Sequence, residues 1–406
     1  MFFKKRELEL LWPFYLAPLI NSVFSLISAY FFIYFLEIGY SIFQVTLIFV
    51  VMIVTRILFD IPTGAIADIY GRKFSVVISY FLTFILFLSI PLVNNLIGLL
   101  IIFFFMGISE TLSTGAHEAW IISNLKSKKK ENLIDEYYIK SSSIYNFGLV
   151  ISPLIAAFVI KAIGISYIWT IQGVATLFAG FVLFLTVEKF KPKKLHIKDS
   201  FKETFKQSKK ALTYAKNHNI IFKILIASIF LLFVISGVGI FWQPYLREFN
   251  LPLEYYGYLL SFSGLLSIAI PFMAKKISDK FNRKSSYLIV VNIIHLIILV
   301  SVFFVTNSWV AMVFVTLLYL AYQFIMPIEQ PFFQSFLPNK MRATLGSVKS
   351  IFGSLGAALA LLFLGWFADF AGVKMALSSL GIFLIPVLWI YWRIRKKEDY
   401  SNKTSA

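Results

Sequence analysis

Four residues that could bind protons or polar ligands lie on one face of the apolar segment 96–124. Glu110, Thr114, His117 and Glu118 follow the spacing i, i+4, i+7 and i+8, and these positions share one face of an α-helix. A carboxyl group in apolar surroundings is costly, so it tends to bind a proton or to pair with a cation. Glu110 lies near the middle of the segment. We therefore predict that it binds a proton or a cationic group, and the alternative is a buried structural hydrogen bond.

Other polar side chains also interrupt apolar segments. Arg56 and Asp60 are four residues apart, and this spacing predicts a pair that neutralises itself within or between helices. Asn21, Tyr319 and Gln323 carry amide and aromatic groups that could orient a ligand within apolar walls. Packing between helices is the alternative for each of these three residues.

Several kinds of chemistry are excluded. The chain has no cysteine, so it has no disulfide, thiolate metal site or cysteine nucleophile. No His or carboxylate cluster has the spacing of a metal site, and no glycine loop is typical of nucleotide binding. No nucleophile, base and acid occur together as an enzyme would need. We expect no cofactor and no bound metal, and we expect an ion or solute gradient to supply the energy.

The elements that hold these residues are membrane spans. Of the 406 residues, 59% are hydrophobic and only 14% are charged, whereas soluble proteins carry roughly 25% charged residues. The net charge of +18 lies mostly in short segments between apolar runs, where cations set orientation in a bilayer. This distribution excludes nucleic acid as the partner and indicates the lipid bilayer.

Twelve apolar segments are long enough to cross about 30 Å of hydrocarbon. We number them spans one to twelve, and their predicted limits are 8–36, 42–67, 74–93, 96–124, 136–163, 166–187, 220–246, 255–277, 285–305, 309–336, 343–368 and 373–394. The connections 37–41, 91–95 and 306–308 hold no Lys or Arg, while the alternate connections are basic. The positive-inside rule then places both termini in the cytoplasm, which requires an even number of spans.

A polar stretch divides the chain near its middle. We predict an N-terminal bundle of six helices over 1–187, a cytoplasmic linker over 188–218 and a C-terminal bundle over 219–406. Ser200 and Glu203 have the spacing of a capping box, which predicts an amphipathic helix on the inner membrane surface. A solvated linker without a stable helix is the alternative.

A motif follows span two. Residues 64–73 read GAIADIYGRK, and this resembles the G-x-x-x-D-x-x-G-R-K motif of the major facilitator superfamily, which lies between that family's second and third spans. A degraded copy lies 211 residues later, so that Asp279, Arg283 and Lys284 match Asp68, Arg72 and Lys73. Glu118 and Glu329 are separated by the same offset. Equal offsets indicate two homologous halves.

The resemblance implies an all-α membrane protein with the fold of this superfamily, in which twelve transmembrane helices form two pseudo-symmetric bundles of six. It also implies that the motif latches the two bundles on the inner side. Gly64 would allow close helix approach and Gly71 a tight turn, while Arg72 could reach a carboxylate such as Glu118. The latch residues would be Gly64, Asp68, Gly71, Arg72, Lys73, Glu118, Asp279, Arg283, Lys284 and Glu329. Simple anchoring of a loop is the alternative.

Span five carries a second resemblance. Gly148, Ser152, Pro153, Ala156 and Ala157 are similar to the G-x-x-x-G-P-x-x-G-G motif of the superfamily's drug–proton antiporters. Small residues at this spacing also serve general helix packing. Those antiporters carry an Arg in span four where this chain has Phe, so the resemblance is partial.

We therefore predict a secondary transporter that moves a small organic solute by alternating access, with proton-coupled efflux as the first hypothesis. The alternatives are an uptake symporter or facilitator, and a non-transporting receptor or scaffold on the same fold. The expected partners are a small-molecule substrate, protons or another coupling ion, and the lipid bilayer. We expect a monomer in the cell membrane with both termini cytoplasmic, and we expect no enzyme activity.

Overall fold

The computed structural model describes residues 5–188, 206 and 209–404, and in those residues the chain is helical with no strand. Up to residue 188 the α-helices are Lys5–Val23, Phe31–Glu37, Ile42–Tyr70, Arg72–Ser89, Leu96–Ser113, Ala116–Ser127, Ile134–Ile163 and Tyr167–Phe184. From residue 219 they are Asn219–Arg247, Glu254–Ser267, Ile270–Ser278, Lys284–Ser301, Ser308–Ser335, Arg342–Ala371 and Val373–Thr404. Residues 209–217 are also helical. The capping box at Ser200 and Glu203 lies outside the described residues.

These helices supply the membrane spans that the hydropathy predicts. Within the described residues, eleven are long and apolar enough to cross a membrane, and a twelfth span forms if the bent pair Glu254–Ser267 and Ile270–Ser278 is counted as one. Large apolar side chains such as Leu92, Phe158 and Phe272 are exposed on their surfaces, as expected of helices that face lipid. The chain is an all-α multi-pass membrane protein.

Span one is interrupted near its middle. Its main helix ends at Val23, and a short 3-10 turn over Leu26–Ala29 precedes Phe31–Glu37. Non-helical backbone at membrane depth needs partners from the protein. Here the Ile27 amide donates to the Gln172 side chain at 2.9 Å, and the Ser152 hydroxyl donates to the Ser25 carbonyl at 3.2 Å. Spans six and five therefore hold the interruption in place.

Span four is also broken, between Ser113 and Ala116. Gly115 has a φ of +73°, a conformation that side chains other than glycine rarely adopt. The Thr114 hydroxyl donates back to the Glu110 carbonyl at 2.8 Å, which closes the end of the first helix. The break divides the polar face that the sequence predicts to be continuous.

Contacts divide the chain into two compact units of similar size. Unit one comprises Met1–Tyr34, Val51–Lys202 and Pro252–Gly264, and unit two comprises Phe35–Val50, Glu203–Leu251 and Leu265–Ala406. The first part of span two thus packs in unit two, and the first helix of span eight packs in unit one. The division into homologous halves at 1–187 and 219–406 stays a prediction.

Each unit has its own aromatic core. In unit one the Phe14 and Trp120 rings meet edge to face with centroids 4.9 Å apart, and both residues are buried. In unit two the Phe233 and Phe383 rings stack at 4.1 Å. These contacts join span one to span four and span seven to span twelve.

Candidate functional site: intramembrane ion pairs

Glu110 is not isolated in the structure. An Arg56 guanidinium nitrogen lies 3.2 Å from a Glu110 carboxylate oxygen, and the two side chains are 44% and 43% exposed. The predicted partner of Arg56 was Asp60, one turn along the same helix, and this prediction was wrong. The ion pair instead joins span two to span four near the middle of both.

Gly107 explains why these two spans come so close. A Cβ at Gly107 would lie 2.8 Å from the Met52 carbonyl oxygen and 2.9 Å from the Thr55 Cβ. Only glycine allows this approach. Arg56 follows Thr55, and Glu110 lies one turn after Gly107, so the close packing places the guanidinium within reach of the carboxylate.

His117 lies beyond the break in span four. Its ring meets the Phe14 ring edge to face at 6.1 Å, and its Nε2 has no hydrogen-bond partner among the described residues. Glu118 is exposed and accepts a hydrogen bond from the Tyr138 hydroxyl at 3.3 Å. Because the helix is interrupted between them, Glu110 and His117 do not share one uninterrupted helical face.

The first motif forms a turn that a carboxylate caps. Gly71 has a φ of +108°, so this position requires glycine. The backbone amides of Arg72 and Lys73 donate to the two Glu188 carboxylate oxygens at 3.2 and 2.9 Å. A carboxylate at a helix N-terminus is favourable because unpaired amides and the helix dipole both attract it. No sequence pattern connects Glu188 with this motif.

Two expectations for the motif were wrong in detail. The Arg72 guanidinium donates to the Ala119 carbonyl at 2.6 Å, one residue beyond Glu118, the carboxylate it was expected to reach. A Cβ at Gly64 would meet nothing within 4 Å, so Gly64 does not allow a close helix contact in this structure. Asp68 is half-buried near the end of the same helix.

The second copy of the motif pairs its own charges. Asp279 accepts hydrogen bonds from Lys275 and from the Lys284 ammonium, which lies at 2.8 Å. These two donors lower the pKa of Asp279. Arg283 is the N-cap residue of the helix that begins at Lys284.

Glu329 is fully buried in unit two. The Lys349 ammonium lies 2.6 Å from its carboxylate and 2.9 Å from the Gln330 side-chain oxygen. The same ammonium lies 4.6 Å from the centre of the Phe333 ring. A buried ion pair is tolerated when additional polar contacts satisfy its charges. Glu118, which lies 211 residues earlier in the sequence, has no such surroundings because it is exposed.

A second buried pair lies in unit one. The Lys140 ammonium is 2.5 Å from one Glu7 oxygen, and the Tyr15 hydroxyl donates to the other at 2.6 Å. Lys140 in span five and Lys349 in span eleven both lie near the start of their helices. The acid differs, since it comes from span one in unit one and from span ten in unit two. Neither lysine was predicted from the sequence to be part of a site.

The small residues of span five line two helix contacts. Gly148 packs against Ser22 of span one, while the Pro153 carbonyl and Ala157 pack against Gly257 of span eight. The Gly257 amide donates to the Tyr30 hydroxyl at 2.9 Å. Ser152, Ala156 and Ala157 are buried, so these small residues lie at helix interfaces.

The remaining predicted ligand-binding residues are distributed over both units. The Asn21 side chain accepts a hydrogen bond from the Thr176 hydroxyl at 3.1 Å, which joins span one to span six. Tyr319 and Gln323 are half-buried one turn apart on span ten. Glu110 and Asn21 therefore belong to unit one, and Tyr319 and Gln323 to unit two.

A match to a protein-family model shows the family of this chain. The family model described as Major Facilitator Superfamily matches residues 14–348 and 224–406. The chain belongs to the major facilitator superfamily. Members of this superfamily are transporters and not enzymes, so the chain is a multi-pass transporter with a small-molecule substrate.

Two relatives of the chain match it over different lengths. The chain is 20% identical over 374 residues to "Uncharacterized MFS-type transporter YxaM" of Bacillus subtilis, covering 91% of this chain and 92% of the relative. A transporter of Methanocaldococcus jannaschii, MJ1560, is 22% identical over 62% of this chain and 63% of its own.

Among solved structures, the nucleoside transporter NupG is similar with a TM-score of 0.76 at 11% identity, covering 97% of this chain and 100% of NupG. A bacterial homologue of the human lysosomal transporter Spinster has a TM-score of 0.71 at 16% identity, covering 96% and 97%. A D-xylose–proton symporter has a TM-score of 0.68 at 14% identity, covering 93% of this chain and 96% of the symporter. These likenesses show the fold.

Proposed function

We propose that this transporter couples solute movement to protons through the Arg56–Glu110 ion pair. The observation that carries the proposal is the pair itself, which joins two spans near mid-membrane at 3.2 Å. Ionisable residues inside spans are costly and mark proton or solute pathways in membrane proteins. Glu110 can exchange a proton, while Arg56 keeps its charge at every physiological pH.

The chemistry of the pair is a competition for one carboxylate. When Glu110 is ionised, Arg56 neutralises it. When Glu110 takes up a proton from water, its charge is lost and the guanidinium no longer has an anionic partner there. A solute that carries a positive charge competes with the proton for Glu110, and mutually exclusive binding of two ligands is what antiport requires. Export of a small cationic or partly hydrophobic solute against protons is therefore our first candidate.

The same geometry favours a second candidate. Protonation of Glu110 releases the Arg56 guanidinium, which binds carboxylate and phosphate groups strongly. A proton and an anionic solute would then bind together, which is what symport requires. Proton-coupled uptake of an organic anion is the alternative, and the observation that favours it is that the partner of Glu110 is an arginine.

We further propose that the two homologous halves alternate their access to the two membrane sides. The motif after span two and its copy at Asp279 would act at the inner side, where the positive-inside rule predicts both termini. We infer the cell membrane as the location and the monomer as the working unit. A non-transporting receptor on the same fold would bind ligand without moving it.

Transport into inverted membrane vesicles tests the proposal. A panel of small lipophilic organic cations and a panel of organic anions would be offered, each with and without an imposed pH gradient. Antiport predicts that cations accumulate when the vesicle interior is acidic. Symport predicts that anions leave preloaded vesicles when the interior is acidic. Binding without pH-dependent flux would favour the receptor.

The variants make the test specific. Glu110→Gln keeps the size of the side chain and cannot ionise, so it should abolish gradient-driven movement while solute exchange at equilibrium persists. Asp60→Asn is the matched control, because it removes a carboxylate one turn from Arg56 that is not part of the pair. If Asp60→Asn abolishes coupling and Glu110→Gln does not, the assignment to the Arg56–Glu110 pair is wrong.

A further inference from the structure

A recess in unit two combines positive charge with an interfacial aromatic residue. It has a volume of about 430 Å³ and lies between the start of span seven and the end of span twelve. Its lining residues are Lys216, Asn217, Asn219, Phe222, Lys223, Ile226, Trp389 and Ile390. Two lysines and two asparagines supply hydrogen-bond donors, and four apolar side chains supply the remaining walls of the recess.

An exposed apolar stripe on span twelve leads to this recess. Ile382, Ile385, Trp389 and Trp392 are 64%, 56%, 50% and 42% exposed, and their spacing of i, i+3, i+7 and i+10 places them along one face of the helix. The stripe therefore continues from the recess, at Trp389, along the length of the span toward the middle of the membrane.

Aromatic and basic side chains mark the depth of the recess in the bilayer. The Arg393 guanidinium lies 5.0 Å from the Trp389 ring centre, and the Lys396 ammonium lies 3.8 Å from the Trp392 ring centre. Tryptophan concentrates where hydrocarbon meets headgroups, and lysine and arginine extend to that level from helix ends. The recess thus lies at the headgroup level, and the stripe lies beside the acyl chains.

We propose that this recess binds one anionic phospholipid. Its phosphate would contact Lys216 and Lys223, with the asparagine amides as further donors, and an acyl chain would lie along Ile385 and Ile382. Basic recesses between helix ends are the sites where anionic headgroups bind. A free phosphate ion would contact the lysines but would leave the apolar stripe without a ligand.

The test measures lipid binding to the purified, delipidated protein in detergent by thermal stabilisation and by native mass spectrometry. Three additives are compared: a phosphatidylglycerol, a phosphatidylcholine with the same acyl chains, and inorganic phosphate. The proposal predicts saturable binding of phosphatidylglycerol with one lipid bound most tightly. Equal affinity for phosphatidylcholine would overturn it, and so would displacement of the lipid by millimolar phosphate.

Charge-removing variants locate the site. Each lysine near an anionic surface strengthens binding about fivefold, so Lys216→Gln with Lys223→Gln should weaken phosphatidylglycerol binding roughly thirtyfold. The matched control is Lys128→Gln with Lys129→Gln, which removes two exposed lysines from the connection after span four. If both double variants lose the same affinity, the lipid binds by general charge and the site is wrong. Unchanged helicity and elution volume of each variant exclude misfolding.

Discussion

Removing the ammonium of Lys349 tests how the buried charges of unit two are held. Glu329 is fully buried, and the Lys349 side chain is only 10% exposed. Lys349→Met keeps the length of the side chain and leaves the Glu329 carboxylate without its cation. Breaking a buried pair by removing one partner costs about 3–5 kcal/mol, because an uncompensated charge stays in a low-dielectric site.

The cost converts into a measurable shift in unfolding temperature. For a domain of 150–250 residues, 1 kcal/mol corresponds to roughly 2–4 °C, so Lys349→Met should unfold about 6 °C or more below the parent. The assay is thermal unfolding in detergent, followed by tryptophan fluorescence.

The double variant Glu329→Gln with Lys349→Met provides the control. It removes both charges, so it should recover a large part of the lost stability, since replacing a buried pair by neutral residues is often close to neutral. A double-mutant cycle gives the coupling between the two side chains. If the single variants cost little and their effects simply add, the two charges are not coupled and this description of the buried pair is wrong.

Three further outcomes are expected. Gly257→Leu should lower the unfolding temperature, since overpacking costs about 1–3 kcal/mol. Gly239→Leu should not lower it, because Gly239 has open space around it. Equal shifts in the unfolding temperature of the two variants would contradict the contact between Gly257 and span five. Arg72→Ala should slow turnover in the vesicle assay and leave solute affinity nearly unchanged, and a collapse of affinity at constant turnover would contradict the latch. Ser127→Cys should react with a membrane-impermeant thiol reagent only from the cytoplasmic side, and labelling of intact cells from outside would reverse the predicted orientation.

The fold could be predicted from the sequence because the bilayer imposes simple rules. A span needs about 20 apolar residues, whatever their order, so hydropathy alone located twelve segments, and the described residues contain up to twelve spans. The motif at Gly71 is a similar case. Only glycine readily adopts the φ of +108° found at this position, so a glycine in the motif predicts the turn directly.

The charge pairs could not be predicted, because they join residues that are distant in sequence. Arg56 has a carboxylate four residues away, and local spacing therefore favoured Asp60 over Glu110. Choosing Glu110 requires knowing that Gly107 packs against span two, which depends on three-dimensional packing. The same holds for Glu7 and Lys140, since one lies in the first turn of the helix Lys5–Val23 and the other lies 133 residues later in span five.

The division of span four into two helices was not predicted, although the sequence contains a local signal for a helix end. Thr114 and Gly115 interrupt the apolar pattern, and such a pair often ends a helix. Residues 96–124 have the length and hydropathy of a single span, and these properties predict one helix. Length and hydropathy do not determine the backbone conformation. Glu110 and His117 were therefore predicted to share one helical face, whereas the helix is broken between them.

The central claim is that Glu110 exchanges a proton when solute binds, and proton counting tests it most directly. Purified transporter in weakly buffered detergent solution would be mixed with a transported solute while a pH indicator is followed. The account predicts that the parent and Asp60→Asn release or take up protons in proportion to the solute bound, and that Glu110→Gln, with solute still bound, does neither. Solute-linked proton exchange of parental size in Glu110→Gln would contradict it.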